Sequence, residues 1–338
     1  MPSPIIRLRK LGARLNLDPY VLAIAGAAAF AAIMPVSGSA AEGAGYVTGA
    51  AIALLFFLHG ARLAPAAAFA GARHWRLHIV VLLSTFVLFP ALGLAARAVL
   101  PSLLTPPLWT GLILLCVLPS TVQSSIAFTS IARGNVPAAL CAATASNLLG
   151  MILTPLLAGL LLQAQGGFSV HAVGDIVMQL LLPFLAGQFS RPLLGAWAAR
   201  NRSLLALVDR GSILLVVYTA FSEGMTQGIW HQLDASRLGA LLAVNALLLT
   251  AVLGLTALAS RALGFSRADS ITVVFCGSKK SLASGLPMAT VLMAGQSVGL
   301  VVLPLMLFHQ IQLMVCAAVA RRYAAAAQPI AAAEALAV

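Results

Sequence analysis

The chain has 338 residues, 61% of them hydrophobic and only 8% charged, with a formal net charge of +12. A soluble domain carries about 25% charged residues, so this composition excludes a water-soluble globular protein and points to lipid as the solvent. The positive excess would suggest nucleic acid in a soluble chain, but here it lies in short segments between apolar runs, where membrane topology explains it without nucleic acid.

At roughly 20 residues per crossing the length accommodates ten spans. In chain order the apolar runs predict helices at residues 20–36, 45–60, 77–100, 108–132, 136–162, 171–189, 212–228, 238–263, 271–294 and 298–320. The longest polar connections, 61–76 and 191–210, are too short for a separate domain. Cys116, Cys141, Cys276 and Cys316 all fall inside apolar runs and read as reduced and structural. The N-terminus imitates a secretory signal, with basic residues, an apolar run and Ser37-Gly38-Ser39-Ala40. Cleavage there would leave an odd number of spans, so the first helix is expected to be retained. The tail at 323–338 is alanine-rich and is given no role.

Counting Lys and Arg with the N-terminus inside places Arg7, Arg9, Lys10, Arg14, Arg62, Arg73, Arg76, Arg133, Arg191, Arg200, Arg202, Arg210, Arg261, Arg267, Arg321 and Arg322 on the inner side. Only Arg97 and Arg237 fall outside. This bias supports ten spans, both termini cytoplasmic, and a multi-pass protein of a bacterial inner membrane.

The fourth and ninth runs are interrupted. The fourth carries Pro119-Ser120-Thr121-Val122-Gln123-Ser124-Ser125 and the ninth Cys276-Gly277-Ser278-Lys279-Lys280-Ser281, with Gly285 and Pro287 beyond. Broken helices are tolerated within a bilayer only where protein or water supplies partners for the freed backbone groups. Each interruption is fourth in a group of five spans, and five is odd, so the two groups have opposite orientation. That pattern points to inverted repeats, 1–165 and 166–322, with a substrate site between the broken helices.

Lys279 and Lys280 are two of only three lysines. A charge at a helix centre costs about 2.5–3.5 kcal/mol on insertion scales, so the pair is expected to face a water-reachable gap. The eight acids lie near run ends or in connections, and a lysine without a carboxylate either gives up its proton or finds an anion. Half-helix N-termini near Ser124 and Ser281 would add positive potential. The candidate site is therefore Cys276, Gly277, Ser278, Lys279, Lys280 and Ser281 with Thr121, Gln123, Ser124 and Ser125. Thr144 and Asn147 on the fifth span either line it or pack against a neighbour. His309 and Gln310 on the tenth, with Gln312 nearby, either join it or form an inter-helix hydrogen bond. Arg133-Gly134-Asn135 reads as a tight inner turn in which glycine takes positive φ.

At these residues the chain resembles the bile acid:sodium symporter family. The resemblance rests on Ile131-Ala132-Arg133-Gly134-Asn135-Val136, on Leu153-Thr154-Pro155, and on the stretch from Phe275 through Lys279-Lys280 to Gly285, which is similar to the branch containing solute carrier family 10 member 7 and its bacterial relatives. The resemblance implies an all-α fold of ten transmembrane helices in two inverted five-helix repeats. Spans 1, 2, 6 and 7 would form a panel, the others a core in which broken spans 4 and 9 cross, and alternating access would carry organic anions with sodium. The family's sodium ligands fall on Ser125, Ile126, Ala139, Ala143, Phe275 and Lys279, so most of the oxygens a hard cation needs are missing. Either Ser125, Thr144 and Asn147 rebuild a sodium site, or a lysine stands in for the ion.

The expectation is a sodium- or proton-coupled secondary transporter of a small anionic solute, with no other cofactor and no enzymatic activity. Two alternatives are a non-transporting membrane regulator on the same scaffold and an intramembrane hydrolase using Ser278 or Ser281 with a lysine.

Overall fold

The computed structural model describes residues 19–62, 74–163, 177–226, 228, 233–293 and 298–326. The N-terminal basic cluster, Arg73, the start of the sixth span at His171, the boundary at 165–166 and the tail beyond 326 lie outside the described residues.

Among the described residues the fold is wholly helical. The helices are α1 (Pro19–Ile33), α2 (Ser39–Arg62), α3 (Trp75–Val99), α4 (Pro106–Val117), α5 (Gln123–Ile131), α6 (Val136–Gln163), α7 (Leu182–Phe189), α8 (Arg191–Arg200), α9 (Arg202–Thr226), α10 (Ala235–Ala262), α11 (Arg267–Gly277), α12 (Leu282–Leu292) and α13 (Val298–Ala325). Each expected span has a helical counterpart, the fourth as α4 and α5 and the ninth as α11 and α12. Helices α2, α3, α6, α9, α10 and α13 are individually long and apolar enough to cross a bilayer.

Three expectations need correction. The connection at 191–210 is helical: α8 fills its first half, and α9 begins ten residues before the expected start at Ser212. Asp209 consequently lies inside α9, where its carboxylate takes a bidentate pair of bonds, 2.7 and 2.6 Å, from Arg62 at the end of α2. At the inner turn it is Arg133, φ 60°, that adopts the left-handed conformation, not Gly134. Gly134 is needed for space instead, because a Cβ there would sit 2.6 Å from Ile271 Cγ2. Asn135 completes the turn: its amide donates to Asp269 (2.8 Å), and its backbone N–H bonds Ala268 O and Thr272 Oγ1. This joins the start of α6 to the start of α11.

α1, α2, α7, α8 and α9 pack as one group, and α3–α6 with α10–α13 as another; α9 meets the second group at α12 and α13. Within the first group the approach of α2 to α7 is reciprocal: a Cβ on Gly60 would strike Phe184 O, and one on Gly187 would strike Phe57 O. Small residues allow such backbone contact between helices in lipid. Leucines such as Leu160, Leu193 and Leu207 stand exposed on the outer faces, as a lipid-facing surface requires.

α3 is not regular throughout. Residues Ser84–Leu88 form a π turn in which the Phe89 N–H reaches back to Ser84 O. Pro90 follows and has no N–H to donate. The carbonyl of Thr85 therefore has no donor in its own helix.

Candidate functional site at the two helix breaks

α4 ends at Val117 because Leu118 is extended (φ −70°, ψ 154°), the conformation imposed on a residue before proline. α11 ends at Gly277, and α12 restarts after Ser281, whose hydroxyl caps the new helix by accepting from the Ser284 N–H at 3.2 Å. The unwound segments touch directly, with Ser281 N–H donating to Pro119 O at 2.9 Å. They lie centred slightly before the sequence estimate in the fourth span, since α5 already begins at Gln123.

Terminating two helices inside protein leaves carbonyls without donors, and each break supplies the other. Ser120 Oγ donates to Cys276 O at 2.6 Å, and Ser125 Oγ to Phe275 O at 3.4 Å. Ser84 Oγ from the π turn donates to Gly277 O at 2.8 Å. Gly277 eases this approach, because a Cβ would lie 3.2 Å from the Ser84 side chain, a tight contact that the neighbour would have to relieve. At the end of α4, Thr154 Oγ1 donates to Val117 O at 2.8 Å. Ser146 Oγ accepts from the Ser120 N–H at 3.0 Å, and Asn147 Nδ2 donates to Ser120 O at 2.7 Å.

Both lysine side chains are fully buried, 0% exposed, instead of opening onto a watery gap. Lys280 Nζ donates to Thr85 O, Cys116 O and Leu118 O, each at 2.7 Å, and stands 4.2 Å from the centroid of the Phe89 ring. Its backbone is held by Gln312, whose Oε1 accepts from Lys280 N–H at 2.9 Å while Nε2 donates to Lys280 O at 2.8 Å. Lys279 points elsewhere: its Nζ donates to Ser124 O at 2.7 Å and lies over Phe128 (3.9 Å) and Phe275 (5.5 Å). Among the described residues, neither lysine forms a salt bridge with an acid.

Of the expected site residues, Cys276 through Ser281, Thr121, Ser124, Ser125 and Asn147 converge at this crossing. Thr121 Oγ1 bonds both serines, at 2.6 and 3.1 Å, and Ser284 Oγ links Ser281 to Asn147. Thr144 is buried nearby on α6. Gln123 is exposed in the first turn of α5, and Gln310 is half-buried on α13. His309 is joined through its Nδ1, 2.8 Å from Gln312 Nε2. Ser84, Thr85, Ser120, Ser146, Thr154 and Phe128 were outside the sequence-derived set. Pro90 and Pro119 are the sequence signal for them, since each proline announces a carbonyl that must be served from elsewhere. The oxygens of Ser125 and of Asn147 are spent on different partners, the former on Thr121 and Phe275 O, the latter on Ser284.

A multi-pass helical protein in which two broken helices meet at their unwound segments has an arrangement that many membrane transporters share. The model of the SBF-like CPA transporter family (DUF4137) matches residues 18–325, and the chain belongs to that family. It is 55% identical over 309 residues to PA2026 of Pseudomonas aeruginosa, covering 91% of this chain and 93% of the relative. It is 52% identical, with the same coverage, to the Escherichia coli (strain K12) protein named "Putative symporter YfeH". A more distant relative is the sodium/bile acid cotransporter 7 of Xenopus tropicalis, 28% identical over 79% of each chain. These relatives make the chain an integral, multi-pass member of a bile acid:sodium symporter-like family.

Proposed function

We propose that the chain is a secondary active transporter of a small organic anion, driven by a proton or sodium gradient across a bacterial inner membrane, with both termini cytoplasmic. Ten spans in two inverted repeats would move as a panel (α1, α2, α7 and α9, with α8 attached) against a core of α3–α6 and α10–α13, giving alternating access. The observation that carries this reading is the buried meeting of two broken helices, with two lysines that form no salt bridge to an acid among the described residues, in a chain of a transporter family.

Supporting it, the N-terminus of α5 has no side-chain cap at Val122, so its free N–H groups and positive dipole end suit an anion. Exposed Gln123 and half-buried Ser124, Asn147 and Ser284 give this region polar surface. Lys279, which makes a single carbonyl bond through Nζ, retains protons for a substrate or for coupling.

The test is uptake of labelled small carboxylates and sulfonates into proteoliposomes under an imposed proton or sodium gradient. Lys279→Ala is expected to abolish uptake while still inserting and purifying as the wild type does. Undiminished uptake by Lys279→Ala would overturn the role of that lysine. Ligand binding without flux under either gradient would favour the regulator reading instead.

A further inference from the structure

We propose that the ammonium group of Lys280 is a resident cation, occupying a carbonyl cage that closes the crossing of α3, α4 and the α11–α12 break. Removing it turns that cage into a binding site for a small exogenous monovalent cation. The cage comes from three backbone irregularities. The π turn and Pro90 free Thr85 O, while the end of α4 frees Cys116 O and Leu118 O. All three face one point at 2.7 Å, the length of charge-assisted bonds. A neutral amine has two N–H groups and an ammonium has three, so the geometry matches the protonated form. The Phe89 ring, at 4.2 Å, covers a further side with its negative face. The C-terminal end of α4 adds its negative dipole end. The charge is thus balanced by dipoles and a ring, with no carboxylate among the described residues making a salt bridge to it.

Lys280 therefore acts as an internal counterpart of a bound ion, tethered to α12 through Ser281 and clamped at its own backbone by Gln312. Substrate does not need to reach it, and the assignment does not rest on the transport reading, because its test reads stability in detergent without flux.

The experiment compares thermal unfolding of the wild type, Lys280→Ala and Lys280→Met in chloride salts of ammonium, methylammonium, sodium or choline. Lys280→Ala is expected to unfold several degrees below the wild type and to recover, saturably with concentration, in ammonium or methylammonium but not in choline. The wild type and Lys280→Met should not respond beyond a general salt effect. Equal stability of all three proteins, or no recovery of Lys280→Ala by any small cation, would overturn the proposal. If Lys280→Ala does not fold, the wild type still decides. With only three lysines in the chain, lysine-selective ¹⁵N NMR should show an ammonium resonance in slow exchange with water that is lost in Lys280→Met and kept in Lys279→Met. A neutral-amine shift at that position, or rapid exchange, would refute it.

Discussion

Replacing Gln312 by leucine tests whether the ninth-span break is held in shape by α13. Gln312 is fully buried and bonds both backbone groups of one residue, accepting from Lys280 N–H at 2.9 Å and donating to Lys280 O at 2.8 Å. Leucine preserves most of the volume but leaves both Lys280 groups without partners. A buried backbone group left unpaired costs about 1–3 kcal/mol, so the loss should be about 2–6 kcal/mol. For a chain of this size that corresponds to roughly 3–8 °C in unfolding temperature. The assay is thermal unfolding in detergent, with Gln310→Leu as the comparison, since Gln310 is half-buried on the same helix and outside this network. Uptake should fall with stability, because the same peptide positions Lys279 and Lys280. If Gln312→Leu unfolds within about a degree of Gln310→Leu, the premise that this break depends on a side-chain clamp is wrong.

Gly187→Leu should destabilise strongly, because its Cβ would enter the Phe57 carbonyl; overpacking of this kind costs about 1–3 kcal/mol. Gly26→Ala, with nothing within 4 Å, should be silent in the same unfolding measurement. Arg62→Met should cost about 1 kcal/mol or less, because the Arg62 and Asp209 side chains remain 28% and 17% exposed. The deficit should shrink as salt is raised, and a deficit independent of salt would mean that Arg62 works through packing instead.

The helical architecture was legible because long apolar runs and loop positives leave little else to infer, and both breaks were legible because Pro119 and Gly277 interrupt those runs at polar residues. The surroundings of the lysines were less accessible. Their acceptors are backbone carbonyls, which carry no residue identity, and Thr85 O is free only because a π turn coincides with Pro90. Spacing alone read 191–210 as a polar connection, since the arginines at 191, 200, 202 and 210 mask two helices. Gln312 was seen on the right helix beside His309, yet nothing in its local sequence distinguishes a clamp on a distant peptide from an ordinary inter-helix bond.

The mutual service of the two breaks has a consequence for biogenesis. Ser120 and Cys276 are 156 residues apart, and at about 5–20 residues per second a ribosome needs roughly 8–30 s to make the intervening chain. During that interval the first half sits in or beside the membrane with the carbonyls at the end of α4 still lacking the donor that Lys280 will bring. The nascent protein must shelter a polar notch until its second half arrives. A truncated chain ending before α11 should accordingly be a substrate for membrane quality control, whereas the same residues become inert once the later helices have docked.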